Sequence, residues 1–501
     1  MNFRMIAPSH GYKQSWPIFL LSAVITIPVS AVIALEPDRY DGSVFAYIGE
    51  RWADGSLPYV EVFDNKPPGI YALIALAAQS HHTLVVLAAI EFVFTMGCII
   101  SLWKIFRLSG ASDRVAALGT LTVAFAVNLR IWEAGNMPEC YLLWPMSTSI
   151  LFFLRGVQTR KLRYLLFAGV CSGVASLFKP FGLSALIAEV SITTLWVFPL
   201  IRRILTSVIV NLVGAGIAWI PMLVYFGAHK GLMAMLDASF LYNIHYGISS
   251  QPPIVKLPAM MAHNLLPVST MIACLVAGLV ASTTRKSESC VDGHFLWTLA
   301  FLWFGAGLLL VLAAGKGYGH YFISLVPALG LAVALFLKMM DDNNVNVQLS
   351  TAICAVVLTP IFMAYMPSLT SFAYDLTTGY DGEKPIDDVA QELRRVATPS
   401  STLFVWGYEP WLFYSTHLHN GIRYPTTIYL YDSPSSYHQA GSTILRGMAT
   451  NPPEFVVVSD SNQPLTWKLG DDVVKNEFDA KLNRLYRKIW HKGLYNLYEI
   501  R

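Results

Sequence analysis

Charged residues are scarce in this chain: 13% of its 501 residues are Asp, Glu, Lys or Arg, roughly half the share usual in a soluble protein. The net charge is only +3, and no run of Lys or Arg is long enough to follow a phosphate backbone, which argues against nucleic acid as a partner. Cysteine is sparse as well. The six (Cys98, Cys140, Cys171, Cys274, Cys290 and Cys354) are scattered, with no CxxC spacing and no companion His cluster, so they read as packing residues and not as a metal set. The first apolar run, near 16–35, lacks a small-residue cleavage site and leads straight into a charged loop. It is expected to remain as a membrane span and not to be removed as a signal peptide.

What the chain has in abundance is apolar length: 54% of its residues are hydrophobic. A bilayer core about 30 Å thick asks for about 20 apolar residues per helix. Such runs recur near 16–35, 82–106, 115–132, 138–156, 162–178, 181–200, 204–227, 257–282, 294–314, 319–338 and 348–369. The fold class expected is therefore an α-helical polytopic membrane protein with about eleven transmembrane helices. With a cytoplasmic N-terminus, Lys104, Arg107, Arg114, Arg155, Arg160, Lys161, Arg163, Arg202, Arg203 and Lys338 fall on one side. The other side receives a thinner scatter over longer loops, so the positive-inside rule makes the first side the cytoplasm.

The composition changes near residue 371. Charges return, short β-rich runs appear at Thr402–Trp406 and Glu454–Ser459, and helical patterns occur near 385–397 and 472–485. Alternating strands and helices predict a small α/β domain over 371–501, on the outer side after an odd number of spans, following a membrane module over 1–370. Two further outer segments stand out. In the first outer loop, 36–81, Val44, Phe45, Ile48 and Trp52 share one helical face while Ser43, Glu50, Arg51 and Asp54 lie elsewhere, the pattern of a helix lying in the interface plane. The loop 228–256 carries Tyr242, Asn243, His245, Tyr246 and the pair Pro252-Pro253, either as a cover over substrate or as interfacial anchors. No internal repeat is visible.

Chemistry concentrates in the stretch Glu36–Tyr71. Asp41 follows the first span and opens the interfacial helix, at the depth of lipid headgroups; the plain structural use of such an Asp is an N-cap. Asp64, Lys66 and Pro67-Pro68-Gly69 read either as a turn with a snorkelling lysine or as part of a site. Taken in order, Tyr40-Asp41-Gly42, Tyr47-Ile48-Gly49, Gly55-Ser56-Leu57-Pro58-Tyr59 and Asp64-Asn65-Lys66-Pro67-Pro68-Gly69 resemble the first extracytoplasmic loop of GT-C glycosyltransferases. The similar branch contains bacterial protein O-mannosyltransferases, lipid A aminoarabinose transferases and rhizobial lipopolysaccharide-core transferases. Asn136-Met137-Pro138-Glu139, Lys179-Pro180 and His320-Tyr321 are similar to further landmarks of that group; Trp406-Gly407 and Arg423-Tyr424 look familiar in its C-terminal domain.

The resemblance implies an inverting glycosyltransferase in a bacterial cytoplasmic membrane, with its site facing outward. Its donor is a sugar on a polyprenyl phosphate; its acceptor is a cell-envelope glycan, lipid or protein. Asp41 is then the base that takes the acceptor's proton. One carboxylate suffices, because a phosphate leaves as a stable anion. Lys66, Lys179 and His320 are expected to meet that phosphate, with Asp64, Glu139, Asn136, Tyr59 and Tyr321 binding substrate or supporting the site. No cofactor is required, with a divalent metal left open as the alternative. Many members carry an acid directly after the catalytic Asp; here Gly42 stands there, so a metal or paired-acid role lacks its second carboxylate. Two other classes stay open: a lipid-linked glycan flippase working from a deep charge such as Glu91, and an assembly subunit indifferent to loss of Asp41. The donor sugar and the choice among lipopolysaccharide core, lipid A, another glycan or a secreted protein are open as well.

Overall fold

Inside a bilayer the backbone has no water to bond and must satisfy itself, which makes each long apolar run a helix. The computed structural model describes residues 15–35, 39–80, 82–132, 135–197, 201–249, 256–284, 291–343, 345, 347–378, 385–459 and 472–501. Within them eight helices are long and apolar enough to cross a membrane: Trp16–Leu35, Thr83–Leu108, Pro138–Thr159, Ile201–Ala228, Met261–Ala281, Gly293–Ala313, Gly319–Asp342 and Ala352–Ser371. Two shorter apolar helices are Leu162–Phe178 and Pro180–Leu195. The run expected at 115–132 forms the helix Asp113–Val127 and a separate 3-10 turn, Arg130–Trp132. At about 1.5 Å per residue that helix reaches about 22 Å, less than the bilayer core. Every expected span thus meets a helix, though not every helix has spanning length. Cys290 lies outside the described residues.

Close backbone approach holds the helices together where lipid offers no hydrophobic drive. Leu162–Phe178 lies against Ile201–Ala228 through small residues: a Cβ on Gly169 would come within 1.9 Å of the Asn211 carbonyl oxygen, and one on Gly214 within 2.3 Å of the Leu166 carbonyl oxygen. Nearby, the buried Glu189 accepts from Asn211 Nδ2 at 2.7 Å and from Ser149 Oγ at 2.6 Å. Such donors offset the cost of an acid inside the bilayer. Leu20, Val24 and Ile27 of the first span and Leu212, Val213 and Val224 of Ile201–Ala228 remain exposed, as side chains facing lipid would.

Two expectations for the outer segments are corrected. The helix Asp41–Ala53 is not two-faced: all of Gly42 through Gly49 is buried, Ser43 included. The cause is tertiary. The helix Trp411–Thr416 of the C-terminal domain lies over it, with Tyr47 and Phe413 rings 5.2 Å apart. Tyr47 also donates to the Leu418 carbonyl at 3.2 Å and to Asn420 Oδ1 at 3.0 Å. The described part of the segment 228–256 is largely helical and not a loop, running through Leu232–Leu236, a π-helical turn Asp237–Leu241 and Tyr242–Ser249. Pro252, Pro253 and the side chain of Tyr246 lie outside the described residues, as do Glu36, Pro37 and Asp38.

The last long helix, Val347–Thr378, runs past residue 370. Beyond it stands a five-stranded sheet in the order β2-β1-β3-β5-β4. Its strands are β1 (Thr402–Trp406), β2 (His419–Asn420), β3 (Phe455–Ser459), β4 (Tyr486–Lys492) and β5 (Tyr495–Ile500). β1 pairs in parallel with β2 and β3, whereas β5 runs antiparallel to β3 and β4. The expected runs at Thr402 and Glu454 are the two central strands, buried almost throughout. The expected helices are Pro385–Val396 and Val473–Leu485. The second is capped by Asp472, whose side chain accepts from Lys475 N at 2.9 Å, a common way to satisfy a free helix-end amide.

Candidate active site

Asp41 is not the N-cap of its helix. Tyr40 holds that position without a side-chain bond, and the Asp41 carboxylate looks across to the C-terminal domain, where the Tyr408 hydroxyl donates to Oδ1. No second donor reaches Asp41 among the described residues, which leaves Oδ2 open. The carboxyl is governed by opposing effects. Burial alone pushes it up, but Lys66, the Tyr408 hydrogen bond and the more distant His320 and Lys179 together hold it below its ordinary value. It is therefore a carboxylate at neutral pH, as a proton acceptor must be.

The turn after that helix builds the second part of the site. Tyr59, wholly buried, adopts a left-handed backbone at φ 68°. This turns its carbonyl to Arg423 Nε at 2.8 Å and its hydroxyl to the Lys66 carbonyl at 2.8 Å. Lys66 Nζ donates to Asn65 Oδ1 at 2.9 Å, lies 3.8 Å from Asp64 Oδ1 and sits 5.3 Å over the Phe45 ring. Burial lowers its pKa, yet Asp64, Asp41, Glu139 and Asp432 outweigh that and raise it. Lys66 is thus a fixed positive charge. Asp64 is itself pinned, accepting from the Tyr71 hydroxyl and from the Tyr429 hydroxyl at 3.2 Å. It positions Lys66.

The third part comes from helix ends in the membrane module. Glu139, in the first turn of Pro138–Thr159, accepts from Lys179 Nζ through Oε1. Its Oε2 is buried with no hydrogen-bond partner among the described residues. His320 Nε2 lies 4.0 Å from the same Oε1, and the Lys179 ammonium sits 3.7 Å over the Tyr321 ring. Asn136 faces elsewhere. Its backbone amide donates to Glu91 Oε2 at 2.9 Å and its Oδ1 accepts from Tyr141 at 3.0 Å, so it shapes the turn before Glu139. Glu91, the deep charge singled out for a transporter, is thereby hydrogen-bonded to that turn.

Sequence reading missed three groups that the C-terminal domain contributes. Gly407, at φ 140°, ends β1 and frees the chain to turn, and a Cβ there would lie 2.7 Å from Ser459 Cβ. Tyr408 follows it and reaches Asp41. Thr427 ties the next loop to this one, its Oγ1 accepting from Gly407 N at 2.9 Å. That loop holds Tyr429 on Asp64, and Asp432, which accepts from Tyr242 at 2.5 Å. Burial pushes Asp432 up to about 6 against the pull of Tyr242, Lys316 and Lys66. Asn243 also joins the site, donating to the Asn65 carbonyl at 2.6 Å, whereas His245 is exposed. The one available signal was the Trp406-Gly407 break after a strand. Sites in open α/β sheets gather beyond the carboxyl ends of parallel strands, and Tyr408 lies at that end of β1.

Among the described residues no group of three or more His, Cys, Asp or Glu side chains is arranged to hold a metal ion. The positive groups facing the carboxylates are lysines, with His320 beside them.

Residues 65–242 match the sequence model of the dolichyl-phosphate-mannose-protein mannosyltransferase family. No curated protein matches the chain by sequence. Among solved structures it is similar to ArnT from Cupriavidus metallidurans bound to undecaprenyl phosphate, at 15% identity and TM-score 0.60 over 97% of this chain and 98% of that one. It is also similar to AglB, the oligosaccharyltransferase of Archaeoglobus fulgidus, in complex with an inhibitory peptide and a dolichol-phosphate. There the identity is 12% and the TM-score 0.53, over 90% of this chain and 70% of that one. The same oligosaccharyltransferase in complex with Zn and sulfate gives 14% identity and TM-score 0.52 over 88% and 68%. The chain thus shares its fold with ArnT and AglB, and its residues 65–242 carry the match to the mannosyltransferase family model.

Proposed function

We propose that this protein moves a sugar from a polyprenyl-phosphate donor to a cell-envelope acceptor on the outer side of a bacterial cytoplasmic membrane, with inversion at the anomeric carbon. The observation that carries the reading is Asp41: an ionised carboxylate beyond the outer end of the first span, with a hydroxyl donor on one oxygen and nothing on the other. An acceptor hydroxyl that donates to Oδ2 loses its proton to Asp41 as its oxygen attacks the sugar's anomeric carbon. The bond from that carbon to the phosphate oxygen breaks on the opposite face, and the electron pair leaves on the polyprenyl phosphate. Lys66 meets the charge that develops there, with Lys179 and His320 behind it. Glu139 holds Lys179 in place through Oε1, and Asp64 keeps Lys66 in place. The acceptor is a glycan, a lipid or a protein hydroxyl or amine. ArnT's undecaprenyl phosphate and AglB's dolichol-phosphate support a lipid phosphate as the donor's carrier.

In this reading the N-terminus lies in the cytoplasm and the C-terminal domain outside, the arrangement that the loop charges favour. Glu91 is held by the Asn136 backbone amide, which gives it a structural use and weakens the flippase reading. The test is transfer of radiolabelled sugar in membranes carrying the wild type or Asp41→Asn, with a panel of polyprenyl-phosphate sugars and an envelope extract. The wild type transfers and a stably inserted Asp41→Asn does not. Transfer near the wild-type rate in the variant sinks the assignment of Asp41.

A further inference from the structure

Away from the Asp41 cluster, at the outer seam between the first loop and the C-terminal domain, a groove of about 340 Å³ is lined by Arg51, Ser56, Glu61, His419, Asn420 and Arg423 among others. Arg51 lies ten positions after Asp41 on the same helix, so the groove begins about 15 Å along the helix axis from the reacting carboxylate. Nothing in the mechanism above uses it.

Its arginines have unspent donors. Arg51 Nη1 is 3.3 Å from His419 Nε2 and Nη2 is 3.4 Å from Nδ1. One nitrogen of a neutral imidazole carries its own proton and the other accepts, so the ring takes a single hydrogen bond from Arg51. A second acceptor for Arg51 is Ser56 Oγ at 2.8 Å. Its Nε is buried without a hydrogen-bond partner among the described residues, and the exposed Asp54 stands 3.6 Å from Nη1, a distance at which water screens the attraction. Arg423 gives Nε to the Tyr59 carbonyl, and its two terminal nitrogens make no hydrogen bond to a described residue. Burial and the Arg51 charge hold His419 below the usual histidine range, so the positive charge belongs to the two arginines.

We propose that this groove binds an anionic sugar residue, one bearing a carboxylate or a phosphate, in the acceptor glycan. Planar guanidinium groups with free N–H donors match such anions, and the Glu61 carboxylate beside them accepts from ring hydroxyls. A peptide would need a free strand edge or an apolar groove. Here the Asn420 amide is already spent on the Tyr47 hydroxyl at 2.8 Å, and Val60 and Ile422 are the apolar side chains in the lining. The volume falls at the small end of ligand sites. Tyr59 joins the groove to the reaction centre, with its carbonyl on Arg423 and its hydroxyl on the Lys66 carbonyl.

Calling the bound glycan an acceptor rests on the transferase reading; the binding itself does not. The experiment uses the full chain in phosphatidylcholine nanodiscs without donor, titrated with trigalacturonate and with neutral maltotriose. Trigalacturonate binds the wild type and Asp41→Asn alike, and at least tenfold more weakly the variants Arg423→Gln and Arg51→Gln, while Arg51→Lys keeps part of the affinity. Maltotriose binds at least tenfold more weakly than trigalacturonate. Equal binding of the two sugars, or unchanged trigalacturonate binding in a folded Arg423→Gln, overturns the proposal. So does loss of trigalacturonate binding when phosphatidylglycerol is added to the disc, which would make the groove a lipid-headgroup site. Because Asp41→Asn keeps the binding, failure of the transfer reaction leaves a distinguishable result.

Discussion

Removing one oxygen, in Tyr408→Phe, separates the role of the C-terminal domain from that of the membrane module. In the unliganded protein the Tyr408 hydroxyl donates to Asp41 Oδ1 and helps to keep that carboxyl low against the upward push of burial. A hydrogen bond to a charged group contributes about 1.5–3 kcal/mol. Its loss raises the pKa of Asp41, because burial then acts with one opposing group fewer. The sign follows from the bond itself: the donor favours the ionised form, so its removal favours protonation and depletes the base at low pH. The profile of kcat/KM reports the free enzyme, in which this bond is made. The acid limb of that profile, measured for sugar transfer in membranes, moves to higher pH in Tyr408→Phe, with the rate at pH 8 much less affected. An acid limb that stays in place in a normally folded variant refutes the coupling of Tyr408 to the base.

The buried pair of Lys179 and Glu139 makes Lys179→Met more damaging alone than in company. The single variant strands a carboxylate and loses about 3–5 kcal/mol, seen as a lower thermal midpoint in detergent, and adding Glu139→Gln recovers part of it. Asp432, raised from 3.8 to about 6, stabilises the fold fully below pH 4 and loses that contribution as pH rises through 6. Asp432→Asn therefore flattens the fall in thermal stability across that window, an effect of at most about 3 kcal/mol; an unchanged slope would disprove it. Gly169→Ala drives a methyl into the Asn211 carbonyl, whereas Gly216→Ala meets nothing within 4 Å. Melting curves should place the first about 1–3 kcal/mol below the wild type, with the second near it.

The sequence alone determined the membrane class and the helical runs, because these depend on a local quantity, apolar length against bilayer thickness. The central strands β1 and β3 were legible for the same reason, as short β-rich runs. β4 and β5 were not, since Tyr486–Lys492 mixes charged and aromatic residues without a period-two pattern, which only its partner strand resolves. Lys66, Asp64, Glu139, Lys179 and His320 could be named from motifs, but their pairing could not. Asn136 lies one turn from Glu139 and bonds to Glu91 instead. The tertiary structure decided what surrounds Asp41: a strand that ends at Gly407 brings Tyr408 across 367 positions of chain. The same docking buried Gly42 through Gly49 on every face of the helix Asp41–Ala53, Ser43 included. A helix's own periodicity records which residues can share a face, whereas the partner that covers the face belongs to another part of the chain, which no local pattern encodes.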